Sequence, residues 1–369
     1  MRAMTAAVLE AVDQPLVVDE VGLRDPRAGE VLVRVAHCGV CHSDLSVIDG
    51  GFPSPLPVVL GHEATGVVDE VGPGVTTVLP GDPVVLTPLP SCGQCYFCAR
   101  RQPTLCAKHS SSLFTSTMPD GTSPLERGGQ VVYRGLATAA FAEYAVMPEI
   151  GVVRIPPDVD LGVASVLGCA VQTGVGAVLN TAKVEEGATV AVLGAGGIGI
   201  SVTQGAVVAG ASTIAVVEPD PERREAARRF GATHVLDPFT DDVATAGLDL
   251  TGVGFDYAFE TAGKANLIEQ CISVVRPGGT AVCVGAPPLD EGIAIPSVVT
   301  FTATEKRLIG CLLGTVSSQY DVPRLVALWQ AGRLDLDAMV TARFPLTKVN
   351  DAVDGARSLR GLRTVIDIG

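Results

Sequence analysis

The chain has 369 residues, 47% of them apolar and 18% charged, with 26 Lys and Arg against 40 Asp and Glu. That length exceeds what one hydrophobic core sustains and points to two domains, and the apolar share excludes a disordered chain. The net charge of −14 argues against nucleic acid or an anionic membrane as a partner.

The start, Met1 to Glu10, has no basic segment followed by an apolar stretch, which argues against secretion. Residues 1 to about 160 read as short strands. Runs such as Val31–Val35 and Val67-Val68 lie between turn signals such as Gly72-Pro-Gly74 and Pro80-Gly-Asp-Pro83. Within this region stands Cys92-x2-Cys95-x2-Cys98-x7-Cys106. Four thiolates on one short loop suit a closed tetrahedral zinc site that serves folding rather than chemistry. An iron–sulfur cluster is the rival, with no electron-transfer partner visible.

From about Glu186 the rhythm changes. Thr189–Leu193, Thr213–Val217, His234–Leu236, Phe255–Phe259, Thr280–Val284 and Leu308–Leu312 read as strands. A helix to about Ala209 and another over Pro221–Phe230 lie between the first of them. Repeated βα units imply a doubly wound parallel sheet. The longest apolar region, Thr189 to Val217, is broken by closely spaced glycines and Gln204, so it reads as strand–helix–strand and not as a membrane span. Val322–Gln330 reads as a helix and Thr364–Ile368 as a last strand. A cytoplasmic location follows by elimination, and there ten cysteines are metal ligands or free thiols rather than disulfides.

Gly194-Ala-Gly196-Gly197-Ile198-Gly199 follows the strand Thr189–Leu193 and opens a helix. Gly194 permits the turn, Gly196 lets backbone approach a pyrophosphate, and Gly199 seats the helix against the strand. The helix N-terminus offers free N–H groups to phosphate. Glu218 ends the second strand. A carboxylate there accepts hydrogen bonds from both ribose hydroxyls and repels a 2′-phosphate, which favours NAD over NADP. Arg223 and Arg224, a helical turn beyond, would soften that discrimination.

The remaining ligand candidates are dispersed: Cys41 in Gly39-Val-Cys-His-Ser-Asp44, His62 in Gly61-His-Glu-Ala64, and Cys169 after Gly168. Two thiolates and an imidazole would leave one zinc position open for water or an alcohol oxygen. No spacing rule connects the three, so the residues alone leave open whether they meet.

Taken together, these stretches resemble the zinc-dependent medium-chain alcohol dehydrogenases along nearly the whole length. The similarity continues in Met118-Pro-Asp-Gly-Thr-Ser123, Phe141-Ala-Glu-Tyr144, Gly168-Cys-x3-Thr173, Val284-Gly-Ala-Pro-Pro288 and Leu362-Arg-Thr364. The four-Cys lobe and residues 107–135 bring it nearest the class I and class III plan. Zinc-free quinone reductases lack this ligand set.

The resemblance implies an α/β protein: a GroES-like, mainly β catalytic domain over 1–172, completed by 314–369, and a Rossmann coenzyme domain over 173–313. It implies two zinc ions per chain, with Cys41, His62 and Cys169 on the catalytic ion and Glu63 close enough to enter its coordination. Asp44 would orient His62. Ser43 would take the proton of the alcohol, and hydride would pass to NAD. His42 and Arg363 would contact the pyrophosphate, and Thr173, Ile198, Val284 and Ala286 would hold the nicotinamide. Phe52, Leu113 and Phe141 would line an apolar pocket for primary aliphatic, allylic or aryl alcohols.

One position departs from the family pattern. Some relatives carry a His where this chain has Ser46, and a serine is no base near neutral pH. The outer proton path would then run through ribose hydroxyls and water. His37 and His109 lie off the family positions and read as structural. Two rival readings are a thiol-dependent formaldehyde dehydrogenase and a non-enzymatic NAD-binding protein. The apolar run Lys306–Leu313 would be an edge strand that pairs with its own copy in a homodimer.

Overall fold

A computed structural model of the chain describes residues 1–295, 297–358 and 361–369. The chain divides into two compact units, Met1–Cys169 with Ser317–Gly369, and Ala170–Val316.

The first unit is mainly β. Arg2–Leu9, Val17–Leu23, Leu125–Arg127, Gln130–Arg134 and Val58–Val59 close into a small barrel. A second sheet runs in the order Val152–Arg154, Pro83–Leu86, Glu63–Val71, Glu30–Gly39, Arg363–Asp367 and Val340–Pro345, with Tyr144–Pro148 also paired to Glu30–Gly39. Valine at alternating positions of Glu30–Gly39 suits a half-buried strand, and Val31, Val33 and Val35 are all wholly buried. The antiparallel pairing of Glu30–Gly39 with both Glu63–Val71 and Arg363–Asp367 fixes the site. It brings the ends of three distant segments together beside Cys41.

The second unit holds six parallel strands in the order His234–Leu236, Thr213–Val217, Thr189–Leu193, Phe255–Glu260, Val275–Cys283 and Arg307–Gly310. This is the doubly wound order, with the first strand central and the chain reversing direction beside it. The helix Gly197–Ala209 follows the glycine loop and stops at Gly210, which adopts a left-handed conformation.

Several boundaries differ from expectation, among them the strand expected over Thr280–Val284, which runs Val275–Cys283. The edge strand is Arg307–Gly310, because Leu312 and Leu313 enter a turn in which Leu313 has φ 46°. The last strand begins one residue early, at Arg363. The helix expected from Val322 starts at Ser318, with Pro323 inside it and the Asp321 carboxylate accepting the Ser317 N–H at 2.8 Å. That bond back from the first turn ties down a start which the proline obscures in the sequence. Among the described residues, no single helix is long and apolar enough to cross a membrane.

Candidate metal centres and dinucleotide cradle

In the first unit, Cys41, His62, Glu63 and Cys169 are all buried, and their ligand atoms lie within 4.8 Å of one another. Local structure explains how they arrive. Cys41 stands at the N-cap of the short helix His42–Ile48 in extended conformation. Asp44, in the first turn and wholly buried, binds back with Oδ2 to the Cys41 N–H at 3.0 Å. Its Oδ1 accepts the Gly61 N–H at 3.0 Å and faces His62 Nδ1 at 3.2 Å. A carboxylate at Nδ1 keeps the proton there and leaves Nε2 as the ligand atom.

Two glycines make the approach possible. Gly61 has φ +90°, and a Cβ there would stand 2.5 Å from the Phe141 ring. A Cβ on Gly168 would stand 2.9 Å from Glu63 Cα, so only glycine lets Cys169 come up to the strand.

The electrostatics suit a cation. A hydrogen bond from the Cys169 thiol outweighs burial and, with the His62 charge, holds Cys41 well below the ordinary thiol range. Burial alone would push His62 down, but Asp44 and Cys41 hold it well above its usual value. Burial drives Glu63 up to about 8 against the opposing charge of Arg363, and among the described residues neither Glu63 oxygen has a hydrogen-bond partner. A buried cluster that gathers anionic donors and retains protons is one that a divalent ion would satisfy. The soft, mixed Cys₂His set fits zinc.

Ser43 is half-buried, with its Oγ 3.8 Å from Cys41 Sγ. His42 is exposed at the helix start, and Ser46 donates its hydroxyl to the His42 carbonyl at 3.0 Å. Arg363 differs from a simple phosphate contact, for its guanidinium is buried against Glu63 at 3.4 Å. His37 pairs with Asp367 at 2.8 Å, and His109 is half-buried.

Phe141 requires correction. It is wholly buried in the core against the Gly61 turn and offers no surface to a substrate. Phe52 instead stacks on Phe114, at 5.5 Å between ring centroids, and Leu113 is half-buried beside Phe114 in sequence. Phe114 escapes sequence analysis because nothing distinguishes one lobe aromatic from another. Its exposure is 57%.

Cys92, Cys95, Cys98 and Cys106 form a second group within 4.8 Å. The Cys92 N–H donates to Cys106 Sγ at 3.4 Å. N–H groups of Cys98 and Ala107 hold the Cys95 thiol down at about 6. Four sulfurs met by backbone N–H donors fit a closed zinc site.

In the second unit, Gly194, Gly196, Gly197, Ile198 and Gly199 form the turn and first residues of the helix. Glu218 is buried, with Oε2 accepting the Ala195 N–H at 2.7 Å and Oε1 the Asp220 N–H at 3.0 Å. Each oxygen retains a lone pair for a ribose hydroxyl. Arg223 is half-buried, its N–H capped by Asp220. Arg224, expected to soften cofactor choice, is already engaged. Its guanidinium binds the carbonyls of Glu218 at 2.6 Å and Pro219 at 2.7 Å, and pairs with Asp237 at 2.9 Å. Thr173 and Val284 are buried, Ile198 is half-buried and Ala286 is exposed.

A GroES-like β unit carrying a Cys₂His cluster, with a doubly wound unit carrying a glycine loop, is the plan of the zinc-binding dehydrogenases. Two family models match, the alcohol dehydrogenase GroES-like domain over residues 27–157 and the zinc-binding dehydrogenase over residues 197–331. S-(hydroxymethyl)glutathione dehydrogenase of Escherichia coli O1:K1 is 37% identical over 365 residues, 98% of each chain. The crystal structure of benzyl alcohol dehydrogenase from Acinetobacter calcoaceticus is 32% identical with a TM-score of 0.94, covering 100% of both chains. An alcohol dehydrogenase zinc-binding domain protein from Burkholderia ambifaria is 37% identical with a TM-score of 0.95, covering 100% of this chain and 99% of that one. The chain belongs to the zinc-dependent medium-chain alcohol dehydrogenases, and is an oxidoreductase of that family.

Proposed function

We propose that this protein catalyses the reversible NAD-linked oxidation of primary alcohols, aliphatic, allylic or aryl, to aldehydes. The observation that carries the reading is the buried group of Cys41, His62, Glu63 and Cys169, with its donors within 4.8 Å of one another. Zinc bound there supplies Lewis acidity toward the substrate oxygen. The chain's own residues do the rest. Asp44 orients the His62 ring. Ser43 Oγ takes the proton that leaves the alcohol. Ser43 would pass its own hydroxyl proton on as it accepts that of the alcohol, and Ser46, which is no base, would not be the onward acceptor. Arg363 balances the charge of Glu63 and, with His42, faces the cofactor phosphates.

The first unit is the catalytic domain and the second the coenzyme domain. The glycine loop receives the pyrophosphate, with Arg223 near the ribose end, and Thr173, Ile198, Val284 and Ala286 hold the nicotinamide. Glu218 excludes a 2′-phosphate. A second zinc in the four-Cys lobe stiffens its loop. The ten free thiols support a cytoplasmic location. The exposed edge strand Arg307–Gly310 supports a homodimer.

The stacked Phe52 and Phe114 favour an apolar substrate. Identity to the Escherichia coli enzyme favours a second reading, oxidation of a thiol–formaldehyde adduct. An assay of NAD reduction with ethanol, allyl alcohol, benzyl alcohol, and formaldehyde plus glutathione decides between them. Turnover confined to the formaldehyde–glutathione mixture establishes the second reading. Absence of turnover with all of them, in zinc-loaded protein, overturns both.

A further inference from the structure

The strand Phe255–Glu260 lies beside the glycine-loop strand on one side and beside Val275–Cys283 on the other. Its last residue and the next one bond in opposite directions. Thr261 bonds to the glycine loop. Its Oγ1 donates to the carbonyls of Leu193 at 2.9 Å and Gly194 at 3.2 Å, and its N–H donates to Leu193 O at 3.0 Å.

Glu260, wholly buried, serves the loop on the far side. Its carbonyl accepts the N–H groups of Val284 and Gly285, both at 3.0 Å. Its Oε1 accepts from Ala262 at 2.7 Å and Lys264 at 3.3 Å, and a Cβ on Gly285 would stand 2.7 Å from Oε2. The Val284–Ala286 loop meets the turn after Glu260 backbone to backbone, since a Cβ on Gly285 would also stand 2.2 Å from Gly263 N.

A buried carboxylate is costly unless its oxygens are engaged, and here Oε1 accepts two N–H groups while Oε2 has no hydrogen-bond partner among the described residues. This one sits at the carboxyl ends of the strands, where doubly wound sheets bind ligands. We propose that Glu260 and Thr261 are a positioning pair: the Thr261 hydroxyl sets the pyrophosphate loop, the Glu260 carboxylate holds the turn Ala262–Lys264 against which Gly285 of the Val284–Ala286 loop packs, and the peptide bond between them fixes the spacing of the two. The assignment rests on the dinucleotide reading of this cradle. A displacement of the nicotinamide-side loop by a fraction of an ångström would misalign hydride transfer without touching the adenosine end.

The test compares NADH with ADP-ribose, which lacks the nicotinamide, by calorimetry. Glu260→Ala is expected to weaken NADH binding about tenfold or more and leave ADP-ribose within roughly twofold. In the ligand-free protein it accelerates amide exchange at residues 284–286. Thr261→Val is expected to weaken both ligands together, about fivefold. Glu260→Gln and Thr261→Ser, which keep the bonding oxygens, restore binding. If Glu260→Ala does not fold, Glu260→Asp, whose carboxylate is drawn back by one methylene, carries the same expectation. Equal losses of both ligands in the Glu260 and Thr261 variants, or no loss in either, overturn the assignment. Wild-type protein that binds neither NADH nor ADP-ribose overturns the dinucleotide reading itself, and this pair with it.

Discussion

Arg363 Nη2 stands 3.4 Å from Glu63 Oε1, and the two side chains are 5% and 0% exposed. The pair joins the last strand of the chain to the first residue of the strand Glu63–Val71, next to His62. A buried ion pair is strongly destabilised when one partner is removed, since the other charge is left uncompensated.

The Glu63 carboxyl is raised from 4.5 to about 8, chiefly by burial, with Arg363 opposing. A raised carboxyl contributes stability that is complete below the unfolded value and is lost as pH rises toward the folded one. Metal-stripped protein is therefore expected to lose stability between about pH 4.5 and pH 8. The loss from this group is at most about 1.4 kcal/mol per pH unit. Glu63→Gln should flatten that slope. Urea midpoints at pH 5 and pH 8 measure it, and equal slopes in the two proteins would refute the assignment.

Two zinc ions per chain are expected in freshly purified, active protein, one for each four-donor cluster. Cys95→Ala should release one ion and lower the melting temperature, because the lobe loops have little apolar packing of their own. Cys169→Ala should release the other and abolish turnover with the fold largely kept. Elemental analysis that finds one ion or none in active wild-type protein contradicts this.

What the sequence makes legible follows from where the physics is local. The glycine loop and the four-Cys lobe are read directly because strand, turn and ligands are contiguous. Cys41, His62 and Cys169 gain meaning only from the family resemblance, since the long-range pairing of Glu30–Gly39 with Glu63–Val71 brings the first two together. Arg363 against Glu63 is invisible for the same reason. Phe141 is buried because it packs against the Gly61 turn, while Phe114 stays exposed, and no periodicity reports either. Arg224 looks free in the sequence, but its guanidinium is consumed by local carbonyls and by Asp237.

Cofactor choice should favour NAD by about a hundredfold in kcat/KM, or ~2.7 kcal/mol. The cause is the buried Glu218 carboxylate, which a 2′-phosphate would meet at close range. Glu218→Ala should narrow the ratio but not invert it, because Arg224 is already engaged with Asp237 at 2.9 Å. The same substitution removes acceptors from the Ala195 and Asp220 N–H groups, so affinity for NAD should also fall. Wild-type kcat/KM for NADP equal to that for NAD would sink the idea.

Self-association should depend on the outer edge of the parallel sheet. Among the described residues Arg307–Gly310 is the terminal strand, paired to Val275–Cys283 alone, so its other side is an open sheet edge. An exposed edge of this kind is an aggregation hazard unless it is covered. The surrounding segment is apolar as well, with Leu289 74%, Val298 69%, Val299 79% and Leu312 39% exposed. Pairing with a second copy across a two-fold axis would satisfy the edge and bury that apolar surface in one step. Leu308 is partly packed against the core of its own unit, so replacing it would confound folding with association. Leu312 is the cleaner probe. Leu312→Lys removes a side chain whose full burial contributes roughly 1.5–3 kcal/mol, and it sets two like charges near the axis. The dimer dissociation constant should rise at least tenfold, or ~1.4 kcal/mol, while the monomer keeps its melting temperature at high salt. Sedimentation across a concentration series measures both proteins. A wild-type chain that stays monomeric at micromolar concentration while fully active would refute the dimer.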